Sequence, residues 1–367
     1  MRKDSGLWKA LGCFGWVSAL LGWAAAILLL RLIATPKKEL PPPVPALVQS
    51  GIRGWYLHDL VFSPDGKLAY GAGDGAIDVF ETESWLRIKN LVINDFGEWG
   101  VPELELSPGG KKIALIYNRK EQEKNPESFL LVYQFEPIAL LLEKEIPYHA
   151  QFSHGLGWLD EDRLALLDPN GLIRVLKAGS GEAIYQNSEV CSNPSGLICN
   201  QKDHSLLLGC GQKLIAVDPE HANVRELLRL ASPVRNLFLV QDGNFLAVIG
   251  QQELQVYALT DLRQVFQQGF EKEITDADYL PGQELLALGL ASGWVKIVDL
   301  KTQKEIATHL LEGGPTDLIR LSPDGRWLVG SSKDYGGLSV WYLPALLRHQ
   351  EAESIESLPI QFGATLQ

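Results

Sequence analysis

A unit of about forty residues returns seven times along this chain, and no other feature limits its fold as much. In its clearest form Phe62-Ser63-Pro64-Asp65-Gly66-Lys67-Leu68-Ala69-Tyr70-Gly71 leads to Asp74-Gly75-Ala76-Ile77-Asp78-Val79-Phe80. This reads as a strand, a Pro-Asp-Gly turn, a strand of small and apolar residues, an Asp-Gly turn and an alternating strand. Each turn carries the residues its backbone requires. The pattern returns as Leu106-Ser107-Pro108-Gly109-Gly110 before Leu130-Leu131-Val132-Tyr133, and as Trp158-Leu159-Asp160-Glu161-Asp162 before Ile173-Arg174-Val175-Leu176. Fainter copies end at Val217-Asp218, Val256-Tyr257 and Val298-Asp299. The seventh is strong again, with Leu321-Ser322-Pro323-Asp324-Gly325-Arg326-Trp327 before Leu338-Ser339-Val340-Trp341. With Val79, Val132, Val175, Ala216, Val256, Ile297 and Val340 taken as equivalent, the spacings are 53, 43, 41, 40, 41 and 43 residues.

A period of this length with four short strands per unit is what one blade of a β-propeller needs. A membrane barrel would need lipid-facing apolar bands instead, and these turns do not belong to one. Residues from about 50 to 343 resemble the WD-repeat propeller family, over about four-fifths of the chain. The terminal Trp-Asp pair is nowhere intact: Val217-Asp218 and Val298-Asp299 keep the Asp, and Trp341 keeps the Trp. His58 is a partial echo of the family's Gly-His. The expected fold is all-β, a seven-bladed WD-like propeller over residues 46–343, with a C-terminal tail at 344–367. The last strong strand, Leu338 to Tyr342, is the third of its blade, so a terminus must supply the fourth. The segment Val44 to Ser50 precedes the first blade and carries Pro45 only at its start. It is the expected donor, ahead of Leu358-Pro359-Ile360-Gln361-Phe362.

Ahead of the repeats, Ala10 to Leu30 is free of charge between Lys9 and Arg31. As a helix, 21 residues span about 31 Å, matching a bilayer core of roughly 30 Å. Only Ser18 would form a polar stripe, and Ile27-Leu28-Leu29-Leu30 runs past the one small-residue cleavage site, Ala24-Ala25-Ala26. A single transmembrane helix at 10–31 is therefore expected after a basic tail at 1–9. A proline-rich stalk at 32–45 follows it, with Pro41-Pro42-Pro43 favouring an extended spacer. Three Lys/Arg precede the span and three follow, so the positive-inside rule nearly ties. The N-terminal amine tips the orientation to a propeller outside the cytoplasm.

The net charge of −12 is uneven: beyond residue 39 there are 27 basic and 43 acidic residues, a net of −16. Such a domain repels phosphate, so nucleic acid is not an expected partner. The four cysteines, Cys13, Cys191, Cys199 and Cys210, form no CxxC and no zinc spacing. Cys199 aligns with Phe62, and Cys210 ends a second strand. Both are expected to be buried and unpaired.

No nucleophile elbow, phosphate loop or metal-ligand spacing appears, so no catalytic residue, metal or cofactor is expected. The resemblance implies that the loops joining second to third strands and those entering the next blade share one face. On that rim fall the charged insertion Asn118 to Glu127, Phe96 and Trp99 ahead of blade 2, and Tyr148, His149 and His154 ahead of blade 3. Aromatic side chains on the loops of a rigid scaffold make Phe96, Trp99, Tyr148, His149 and His154 the expected contact patch. The expected function is a membrane-anchored interaction scaffold for a protein partner or a membrane-associated complex. Its expected place is a single-pass membrane protein, held in the bilayer through residues 10–31. The alternative is a lactonase-like or quinoprotein-like enzyme, or a ligand sensor, with its site at the central channel.

Overall fold

The computed structural model describes residues 46–48 and 57–347, apart from 74–75, 93–102, 120–126, 136–137, 147–154, 189, 192–193, 312–313 and 333–334. The expected tail, transmembrane helix and stalk lie outside the described residues, as does most of the C-terminal tail. Among the described residues no helix is long and apolar enough to cross a membrane.

The described strands form seven antiparallel sheets of four. Six sheets run in chain order, as in blade 1: Asp59–Phe62, Leu68–Gly73, Ala76–Glu81 and Leu86–Val92. The first strands of successive blades touch, and that of blade 7, Thr316–Leu321, returns to that of blade 1, so the ring is closed. The core is divided into seven apolar clusters, one between each pair of neighbouring blades. Blade 4 shows why the middle strands read as unbroken apolar runs. Along Ser205–Cys210, Leu206 and Leu208 feed the cluster shared with blade 3, while Leu207 between them feeds the one shared with blade 5. Alternate side chains leave opposite faces of a strand, and here both faces are buried.

The Ser-Pro-Asp-Gly turns do what their residues promise. In blade 1 the Ser63 hydroxyl donates to Asp65 Oδ1 at 2.7 Å and accepts from the Leu68 N–H at 2.9 Å. Blade 7 repeats this with Ser322, Asp324 and Trp327 at 2.6 and 2.8 Å. Gly66 and Gly325 sit at φ near +70°, where a side chain is strained. Five of the seven residues aligned as equivalent also share a structural role. A bulge follows Val79, Val132, Val175, Val256 and Ile297 in their pairing with the outer strands.

Closure comes from the N-terminal side, as expected. Ala46–Val48 pairs antiparallel with Tyr335–Tyr342, with Ala46 opposite Val340 and Val48 opposite Leu338. A helical turn at 343–347 follows, and Leu343 is fully buried in the cluster between blades 6 and 7.

The cysteine expectation is corrected in part. Cys210 is not free but bonded to Cys191, with Cα atoms 5.6 Å apart, inside the range a disulfide spans. Pro194–Asn200 pairs with Ser205–Cys210 so that Pro194 faces Cys210, and the chain just before Pro194 brings Cys191 alongside. Cys199 is unpaired and half-buried.

Candidate functional site: a carboxylate-lined channel

Phe96, Trp99, Tyr148, His149 and His154 all lie outside the described residues. Their segments connect the outer strand of blade 1 to Glu103 and the outer strand of blade 2 to the strand Leu156–Trp158. Glu103 and Leu156 both line one cavity. It has a volume of about 580 Å³ and is walled by the first strands of all seven blades, which makes it the central channel.

The channel is chemically lopsided. Strand register places Asp59, Glu103, Asp276 and Leu318 at one position of blades 1, 2, 6 and 7, and Val61, Glu105, Asp278 and Arg320 two residues on. On the opposite arc, blades 3, 4 and 5 carry Gly155, Gly196 and Asn236 at the first position, and Gly157, Ile198 and Phe238 at the second. Five carboxyls and one guanidinium therefore gather on one side.

Most of this charge joins blade to blade. The Leu104 N–H donates to Asp59 Oδ2 at 3.0 Å, the Leu156 N–H to Glu103 Oε1 at 2.8 Å, and the Ile319 N–H to Asp276 Oδ2 at 2.7 Å. Each bond runs from the next blade to the same position of the previous one. Asp278 adds another, accepting the Leu321 N–H at 2.6 Å. At the seam between blades 7 and 1 the acid is replaced by Leu318, and Arg320 takes over from two residues on. Its Nε–H donates to the Leu60 carbonyl at 3.0 Å, Nη2 to Asp59 at 2.6 Å and Nη1 to Asp276 at 2.8 Å. One side chain thus ties blades 6, 7 and 1.

The channel also sets unusual protonation. Burial disfavours the Arg320 charge, but Asp276, Asp59 and Asp278 outweigh it and hold the guanidinium charged. Asp278 is pushed up to about 6, by burial first, against Arg320 and two backbone N–H groups. Glu105 is pushed up to about 8 by burial and by the charges of Asp59 and Asp278, with Arg320 opposing. Glu103 lies well above the usual carboxylate range, again by burial first, then by Glu105 and Asp59. Among the described residues no group of three or more His, Cys, Asp or Glu side chains is placed to hold a metal ion.

These acids are not among the site residues expected from the sequence. A signal was present, since Asp59 and Glu103 each stand three residues before the strand end that opens a Ser-Pro turn. Their partners, backbone N–H groups of another blade, leave no mark in a sequence.

No family model and no curated protein matches the chain. Solved structures do. One described as "Crystal structure of RRP9 WD40 repeats" superposes with a TM-score of 0.65 at 13% identity, over 79% of this chain and 95% of that one. "Structure of U3-55K" gives 0.65 at 13% identity, over 79% and 96%. A chain of "Crystal Structure of Mitotic Checkpoint Complex" gives 0.64 at 15% identity, over 78% and 87%. At these identities the likeness is one of fold, and the fold is the seven-bladed WD40 β-propeller.

Proposed function

We propose that this protein is a membrane-anchored interaction scaffold, whose propeller presents a rigid face to a protein partner. The observation that carries this reading is the use made of the channel acids. Asp59, Asp276 and Asp278 spend their oxygens on Arg320 and on backbone N–H groups of the neighbouring blades, which serves rigidity rather than turnover. A WD40 propeller of similar fold belongs to a structure described as a complex, which agrees with a role in assembly. The anchor is the uncharged run Ala10 to Leu30, and the contact patch is Phe96, Trp99, Tyr148, His149 and His154. The Cys191–Cys210 bond supports placing the propeller on the extracytoplasmic, oxidising side of the membrane.

A photo-crosslinking amino acid at Trp99 or Tyr148 of the full chain, in native membranes, tests the scaffold. Both positions are expected to trap the same protein, and the same probe at Arg263, exposed on blade 5, to trap none. Equal labelling at all three positions would overturn the patch. Release of the full chain by alkaline carbonate would overturn the anchor. One observation favours the ligand-sensing alternative within the same architecture, namely two channel carboxyls that the blade joins leave partly or wholly unused.

A further inference from the structure

Glu103 and Glu105 stand two residues apart on one strand, so both leave it on the same side. Glu103 is 4% exposed and uses only Oε1, while its Oε2 is buried without a partner. The Glu105 carboxyl makes no hydrogen bond or ion pair with any described residue, although its backbone carbonyl is fixed by the Trp158 indole N–H at 3.1 Å. At the two matching positions of blade 3 stand Gly155 and Gly157, so no side chain from that blade answers the two acids. A buried carboxyl oxygen left unmet is unfavourable, and natural structures seldom keep one without a use.

We infer that Glu103 and Glu105 recognise one cationic side chain, an arginine or a lysine, that a protein partner inserts into the central channel. This rests on the scaffold reading above. A guanidinium carries five N–H donors in a planar fork and an ammonium carries three, while an ionised carboxyl offers only acceptors. The channel already holds one guanidinium in this manner, Arg320 between Asp59 and Asp276. Its volume of about 580 Å³ is ample for a second basic side chain. The net charge of −16 beyond residue 39 steers a basic partner toward it. In the sequence Phe96 and Trp99 stand seven and four residues ahead of Glu103.

The groups that face Glu105 are Asp59 and Asp278, which disfavour its charge, and Arg320, which favours it. Glu103 is its neighbour on the strand. Cys199 also lies near, held as a neutral thiol by burial first and by Glu105 second. Glu105 is thus largely protonated at neutral pH without a ligand, so a bound cation displaces its proton. Affinity for the cation rises as pH rises through about 8.

The test uses the full chain in detergent, titrated with N-acetyl-arginine methylamide and N-acetyl-lysine methylamide, and with the neutral N-acetyl-citrulline methylamide as control. Binding is read by ligand-detected NMR. Arginine or lysine is expected to bind and citrulline not, with affinity tightening from acid to alkaline pH. Whichever of the two binds more tightly names the side chain. E105Q and E103Q are each expected to weaken binding by about tenfold or more. D261N, which removes the same charge from an exposed turn of blade 5 where Asp261 pairs only with the exposed Arg263, is expected to stay within about twofold of wild type, as a solvent-screened surface charge should. E105Q removes no structural hydrogen bond, so its folding serves as the check on E103Q. No binding of either cation, equal binding of citrulline, or equal losses in D261N and E105Q would overturn the proposal. If crosslinking at Trp99 still traps a partner while neither cation binds, the scaffold stands and the channel site falls. If no partner is trapped yet the cations bind and E105Q abolishes this, the carboxyl pair stands and its assignment to a protein side chain falls with the scaffold.

Discussion

Arg320 and Asp59 meet at 2.6 Å although 261 residues separate them, and this contact lies on the seam where the ring closes. The same guanidinium reaches Asp276 at 2.8 Å, so two carboxylates share one cation among largely buried side chains.

Replacing Arg320 by Met leaves Asp59 and Asp276 without their counter-charge. Breaking a buried ion pair on one side costs about 3–5 kcal/mol. R320M is expected to lose stability of that order in urea unfolding of the full chain. R320K, which keeps the charge but not the two-sided reach, should lose less. Adding D59N and D276N to R320M should recover part of the loss. Wild-type stability in R320M would show that the seam does not depend on this cluster.

The Cys191–Cys210 bond closes a loop with a sequence separation of 19. Loop-closure entropy puts its contribution at about 3 kcal/mol, so the C191S/C210S variant should unfold at lower denaturant by about that amount. Alkylation of the denatured full chain should label Cys13 and Cys199 before reduction and all four cysteines after it. Labelling of all four without reduction would remove the bond, and with it the support for an oxidising compartment.

Stability should carry the mark of Glu105. Its carboxyl is pushed up to about 8 in the folded state from an ordinary value of 4.5, so between these values the folded protein keeps a proton that the unfolded chain has released. Folding stability from this group is therefore fully present below about 4.5 and is lost as pH rises toward about 8. Thermal melts of E105Q and wild type across this window should show the variant gaining on wild type as pH rises. A constant difference would contradict the shifted proton affinity.

Closure by Ala46–Val48 predicts a ranking of two deletions. Removing residues 46–48 exposes the edge of Tyr335–Tyr342 and forfeits a few backbone hydrogen bonds, at a cost of about 1–3 kcal/mol. Removing 357–367 should leave the melting temperature nearly unchanged. The opposite order in thermal melts would assign closure to the C-terminal side.

The architecture was legible because its signals are local and repeated. Ser63, Asp65 and Gly66 specify their turn within a few residues, and Ser322, Asp324 and Gly325 repeat it. The apolar runs along Leu206 to Leu208 fix both faces of a strand as buried, and the strand count alone required a terminus at blade 7. Some local features still escaped. Trp85, Ala222, Leu262 and Gln303 take a left-handed conformation at the ends of hairpin turns, where the sequence shows no glycine to mark it.

The site was decided by tertiary structure. Asp59, Glu103 and Asp276 each accept an N–H from a strand 43 to 53 residues on, and backbone groups are the same at every position of a chain. That Leu318 stands where a fourth acid would, and that Arg320 compensates for it, matters only once blades 6, 7 and 1 are adjacent. Cys191 and Cys210 likewise became partners through the register that sets Pro194 against Cys210. Hydrophobic alternation and turn chemistry act between neighbours in sequence, so the residues announce them. Charge and hydrogen bonding act through space over a few ångströms, so they depend on which strands the closed ring brings together.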